Sequence, residues 1–133
     1  MKILFVAEVS IAQVIGGAER VLREQALGLA SRGHAVRVLT RAGAQDGEAR
    51  AVVEGVEESR YPVDRRHALS FFLSSARNAR RAAQSLAHES RPDVLLVHQA
   101  VPGLAVAGCL PGVPSVYTCL SLAHEEFDTR NRP

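Results

Sequence analysis

Two adjacent glycines, Gly16-Gly17, stand between an apolar run, Ile3-Leu4-Phe5-Val6-Ala7, and a stretch that opens Ala18-Glu19-Arg20. A residue without a Cβ lets backbone N–H groups come close to a ligand. N–H groups that open a helix attract anions. The chemistry on offer is contact with a phosphate or a sugar. The plainer alternative is that the pair only permits a tight turn. The pattern is not GxGxxG, and no Gly-Lys-Ser/Thr follows, so neither a complete dinucleotide fingerprint nor a P-loop is present.

Other candidates close apolar runs. His98 follows Val94-Leu95-Leu96-Val97, and Glu8 follows the first run. His98 reads equally as a site residue or as a histidine satisfied by backbone. Thr118 and Ser121 offer hydroxyls after the last run; the competing reading is ordinary loop polarity. His124-Glu125-Glu126 has the composition of an acid–base cluster, but tails of this kind are usually solvated. Arg65, Arg66, Arg77, Arg80 and Arg81 put positive charge along one amphipathic segment. Such a helix either touches an anionic membrane surface or is a solvated face. His34, His67 and His88 have no identifiable partner. There is no Ser-His-Asp order, glycosidase-like carboxylate pair or metal spacing, and no cofactor is expected. Cys109 and Cys119 lack metal or CxxC spacing and read as free thiols of a reducing cytosol.

The elements that must position these residues follow from periodicity. The chain has 133 residues, enough for one domain with a real core. Ala, Val and Leu dominate and aromatics are few, which suits helices on a buried parallel sheet. A net charge of +2 argues against nucleic acid as a partner. The amino terminus does not read as a signal peptide, and no apolar run is long enough to span a bilayer. The expected location is therefore cytoplasmic, with the arginine segment allowing peripheral contact at the inner membrane face.

Five strands alternate with helices. Strand one is 2–7. The helix after it starts near Gly17, with Val21, Leu22, Ala26, Leu29 and Ala30 as one stripe and Gly33 as its stop. Strand two is 35–40, and 41–51 reads as a loop. Residues 52–62 read as a short edge strand or a hairpin. A long helix covers 67–88. Strand four, 93–98, lacks polar alternation, the mark of burial on both faces. A short helix covers 103–110 and strand five 114–118. Crossover handedness then favours a Rossmann-like doubly wound parallel α/β sheet ordered 3-2-1-4-5. In such a sheet ligands bind at the carboxyl ends of the strands, where Glu8, Gly16-Gly17, His98 and Thr118 all fall.

Gly16-Gly17-Ala18-Glu19-Arg20-Val21, Leu27 to Leu29, Arg32-Gly33-His34-Ala35-Val36 and Val38-Leu39-Thr40 together resemble the N-terminal domain of family 4 glycosyltransferases. Arg91-Pro92-Asp93-Val94-Leu95-Leu96-Val97-His98 is similar to that family's Pro-Asp-to-His stretch, and Val113-Pro114-Ser115-Val116-Tyr117-Thr118 to its fifth-strand region. The resemblance implies a retaining enzyme of the GT-B fold that moves a sugar from a nucleotide-sugar donor to an acceptor. It places Gly16 and Gly17 near the donor phosphates and His98 where it orients sugar or acceptor. Glu8, Thr118 and Ser121 are weaker acceptor-side candidates. Two positions depart from the family: Leu96 stands where a first histidine is frequent, and Leu120 where another normally lies near the transferred sugar. Residues 1–123 are expected to form the acceptor-side domain, and 124–133 a polar tail or the start of an interdomain linker. The resemblance implies a C-terminal donor domain as partner, in cis or in trans, and an isolated chain that is inactive. A non-catalytic subunit completing another chain's cleft, or an unrelated nucleotide-binding module, are the alternatives.

Overall fold

An apolar run without polar alternation needs cover on both faces, and β1 (Lys2–Val6) receives it: four of its five residues are buried. The computed structural model describes residues 1–44 and 49–119. After β1 come α1 (Gly17–Ser31), β2 (Ala35–Arg41), β3 (Arg50–Val53), β4 (Val56–Tyr61), α2 (Ala68–Glu89), β5 (Val94–His98), α3 (Ala100–Val106) and β6 (Ser115–Thr118). They form one sheet, ordered β3-β4-β2-β1-β5-β6. Every neighbouring pair is parallel except β3 with β4. Counted over the parallel strands alone, the order is the expected 3-2-1-4-5.

Side-chain alternation splits the core in two. Ile3, Phe5, Val36, Val38 and Val56 face α1 with Leu22 and Ala26. Leu4, Val6, Leu39, Leu95 and Val97 face α2 and α3 with Ala79, Ala83 and Leu86. This is the doubly wound arrangement, with both sheet faces buried under helices.

Local chemistry fixes the joints. Helix α1 ends in a Schellman motif: the His34 N–H donates to the Leu29 carbonyl at 3.3 Å and the Gly33 N–H to the Ala30 carbonyl at 3.0 Å. Gly33 takes φ +89°, which a side chain would strain. Asp93 fixes the register of β5: its carboxylate accepts the Lys2 N–H at 2.6 Å and its own N–H donates to the Lys2 carbonyl at 2.8 Å.

Most boundaries shift by a single residue from the sequence reading, and three segments differ in a way with a physical cause. Residues 52–62 hold the end of β3, the turn and all of β4, and β3 already begins at Arg50 inside the expected loop. Glu54 and Gly55 turn the chain with φ of 48° and 86°, the paired positive values of a two-residue type I′ turn. The short helix runs 100–106, not 103–110. Gln99 breaks out of the strand at φ 65°, and Pro102 fits the first turn of a helix, where no N–H is needed. Strand five starts at Ser115; Pro114 lacks an N–H and contributes only its carbonyl, to the Leu95 N–H at 2.9 Å. Ser121 and the tail 124–133 lie outside the described residues.

Candidate functional site

The β1–α1 loop crosses the carboxyl edge of the sheet. The Ala7 N–H donates to the Leu39 carbonyl at 2.9 Å, and the Glu8 N–H to Gln99 Oε1 at 2.9 Å. Beyond Ile11, which is fully buried, the chain turns outward, and residues 12–17 are exposed. Neither Gly16 nor Gly17 takes a positive φ; Gly16 is extended at φ −137°. A tight turn therefore does not require them. Gly17 supplies bare space: a Cβ there would meet nothing within 4 Å, whereas one on Gly16 would come within 3.1 Å of Glu19 Oε2.

Gly17 opens α1, so the N–H groups of its first turn have no preceding helical carbonyl. One carboxylate is already there. Glu19 Oε2 accepts the Gly16 N–H at 3.2 Å, half of a capping box. An incoming anion would share the helix end with it.

Glu8 and Arg41 sit at the same edge, their charged ends 3.8 Å apart. The Arg41 guanidinium lies 4.9 Å from the centre of the Phe71 ring, and that of Arg65 lies 5.5 Å from it. Tyr61, beside Arg41 on β4, has its hydroxyl pushed up to about 12 by burial, so it stays protonated.

His98 is fully buried on the α1 side of the sheet. Its ring lies 5.8 Å from that of Phe5, and its Nε2 is 3.0 Å from Gln25 Oε1. With Gln25 presenting an oxygen, Nε2 carries the hydrogen and donates. Nδ1 is buried without a hydrogen-bond partner among the described residues. Burial lowers the imidazole below its ordinary value and keeps it neutral. Gln25, Leu96 and Thr118 line a groove of about 530 Å³ beside α1. Gln25 lies eight residues along α1 from Gly17, about 12 Å at 1.5 Å per residue. A larger hollow of about 940 Å³, near Lys2, His34, Arg37 and Ser90, opens at the amino edge of the sheet, away from Glu8, Gly16, Gly17, His98 and Thr118.

Residues 15–132 match the family model for Glycosyltransferase Family 4. The chain belongs to that family. No curated protein sequence matches it significantly. Among solved structures it is similar to sucrose-phosphate synthase from Thermosynechococcus elongatus (TM-score 0.79, 13% identity, 100% of this chain and 37% of that one). It is also similar to the catalytic domain of starch synthase IV from Arabidopsis thaliana, bound to ADP and acarbose (TM-score 0.64, 14% identity, 89% and 33%). A third likeness is to the C-terminal domain of a hydrogenase from Pyrococcus furiosus (TM-score 0.63, 17% identity, 89% and 90%). These likenesses show the fold. The chain spans about a third of the two synthases.

The glycosyltransferase domain thus carries Glu8, Gly16, Gly17, His98 and Thr118 at or near the carboxyl edge. Gly17 is open, while His98 is enclosed and reaches the groove through Gln25. Sequence reasoning passed over Gln25, Arg41, Glu58 and Gln99. Gln99 had a visible signal, a second polar residue directly after a buried strand. Gln25 had none, because it lies on an ordinary amphipathic helix.

Proposed function

We propose that this chain forms the acceptor-side lobe of a retaining glycosyltransferase that moves a sugar from a nucleotide-sugar donor to an acceptor. A second lobe, in cis or in trans, closes the cleft and holds most of the donor. The observation that carries the reading is the bare Gly17 corner: a glycine that the backbone does not demand, opening a helix at the carboxyl edge of the sheet, in a chain of this family. Preorganised N–H donors at that corner stabilise the charge that develops on the leaving diphosphate. Glu19 holds the Gly16 N–H and the Arg20 N–H donates to the Gly16 carbonyl, which leaves the amides of Gly17, Ala18 and Glu19 for the phosphate. His98 acts through Gln25 and fixes that side chain above the groove, where Thr118 offers its hydroxyl. Glu8, paired with Arg41, lines the acceptor side, and Ser121 is carried with it as a further acceptor-side residue.

The test is turnover by the full-length gene product against a panel of nucleotide sugars. Transfer with retained anomeric configuration is expected for at least one donor. Gly17→Val, whose Cβ meets nothing within 4 Å in the folded domain, should leave the melting temperature near wild type and raise the donor KM at least tenfold. Inversion, or full activity of Gly17→Val, rejects the reading. Leu120, standing where the family usually has a histidine, favours a second reading: a non-catalytic partner that completes another chain's cleft. Transfer that appears only when a second polypeptide is added would select it.

The acceptor side also meets a membrane in this reading. Residues 65–88 carry five arginines and no carboxylate. On the same helix Leu69, Phe72 and Leu73 are 71%, 50% and 57% exposed. An anionic lipid surface matches both the charge and the apolar face.

A further inference from the structure

A buried carboxylate needs partners, and Glu58 has them on three segments. It is fully buried in β4, on the sheet face that packs under α1. Oε1 accepts from Thr40 Oγ1 at 2.7 Å, across on β2, and from Arg60 Nε at 3.2 Å, two residues along its own strand. Oε2 accepts the Ser10 hydroxyl at 3.0 Å, and Ser10 belongs to the β1–α1 loop.

Ser10 relays the contact. Its Oγ also accepts the Ala12 N–H at 3.0 Å, closing a short turn. Between them the Ile11 side chain is fully buried, and its carbonyl accepts Arg23 Nη1 at 2.7 Å. Arg23 itself is held by Glu54 of the hairpin turn at 3.1 Å. The loop is therefore fastened at 10–12. Downstream it is exposed as far as Gly17, with Ile15 at 85%. The direction in which the chain leaves Ala12 for the glycine corner is set at the fastened end.

Burying a charge in a strand is unfavourable unless its bonds are complete. An apolar residue at 58 would fill the same space without that demand, and Val56 on the same face shows the ordinary solution. The added value of a carboxylate is directional: it fixes one hydroxyl of one loop. We propose that Glu58 is a positioning residue, a carboxylate sunk in the sheet that holds Ser10 and so sets the approach of the Gly16-Gly17 corner. Its consequence for sugar transfer rests on the function proposed above; the anchoring does not.

Amide hydrogen exchange on this chain tests it. Hydrogen bonds to charged groups are the stronger class, so Ser10→Ala should exchange at least about tenfold faster over residues 8–17. Peptides from β1 and β5 should keep wild-type rates. Ser10→Thr, which restores the hydroxyl, should restore the protection. Glu58→Gln should show the same local pattern; if it fails to fold, Ser10→Ala still decides. Unchanged exchange over 8–17, or faster exchange spread evenly through the sheet, overturns the proposal. In the full-length enzyme, Ser10→Ala should raise the donor KM and leave the acceptor KM unmoved. A loosened loop with an unaltered donor KM overturns the positioning role. Absence of transfer by the wild-type enzyme sinks the proposed function instead and leaves the exchange result to judge the anchor.

Discussion

His98 shows how burial changes what one residue can do. Its lowered pKa has a stated cause, desolvation, and a definite sign. As pH falls below the ordinary histidine value of 6.5, the unfolded chain takes up a proton that the folded chain refuses. Stability is then complete above that value and is lost as pH falls toward the depressed one. For one proton the slope is at most about 1.4 kcal/mol per pH unit. Melting curves between pH 7.5 and 5.5 should show this loss in wild type and a shallower one in His98→Gln. Parallel pH profiles of the two proteins would refute the assignment. The position of His98 was legible in the sequence, because a polar residue ended a four-residue apolar run. Its enclosure was not, because the partner Gln25 lies 73 positions away. Glu58 gave no signal of its own: residues 52–62, with charges between apolar positions, read as an edge strand or a hairpin, and β3 takes the edge and makes β4 an interior strand.

At the scale of elements, the joints between strands and helices were the most legible part. Gly33 after an amphipathic stripe gives a helix stop, and Pro92-Asp93 before a Val-Leu-Leu-Val run gives a strand start. Long-range caps were not legible. Arg37, on β2, sends Nη2 to the carbonyls of Leu86 at 2.8 Å and Ser90 at 2.6 Å, and so caps the end of α2 from the neighbouring sheet. Glu89 lies 3.6 Å from its Nη1 and adds a half-exposed ion pair, worth little by itself. The Ser90 carbonyl matters more, since it lies past the last helical turn and has no helical partner, whereas that of Leu86 already accepts the Ser90 N–H at 3.0 Å. Arg37→Met keeps the apolar stem and removes the cap. It should destabilise the domain by about 1–3 kcal/mol in urea unfolding, with α2 exchanging first at its carboxyl end. A change below about 0.5 kcal/mol would assign the role to water.

For the whole molecule, the question is which way the domain faces. Helix α2 follows β4 and so begins at the carboxyl edge of the sheet, the edge that also carries Glu8 and the Gly16-Gly17 corner, and Leu69, Phe72 and Leu73 in its first two turns are exposed. Arg77 and Arg81 continue at intervals of four from Leu73 and share its helix face. The three arginines 77, 80 and 81 are exposed. An apolar end at that edge with basic charge farther along would, on the proposed function, turn the carboxyl edge toward the lipid. Among the described residues no helix is long and apolar enough to cross a membrane, so contact of this kind would be peripheral. Each surface-proximal arginine contributes about 1 kcal/mol on anionic lipid. The chain should therefore co-sediment with vesicles rich in phosphatidylglycerol and far less with phosphatidylcholine alone. Replacing Arg77, Arg80 and Arg81 together by Gln should weaken partitioning at least about tenfold. Salt should act in the same direction, since screening shortens from about 10 Å at 0.1 M to about 3 Å at 1 M. Leu69→Ser with Phe72→Ser should weaken it in a salt-independent way. Equal binding to neutral vesicles, or none to either, would overturn the seating of the α2 face on anionic lipid.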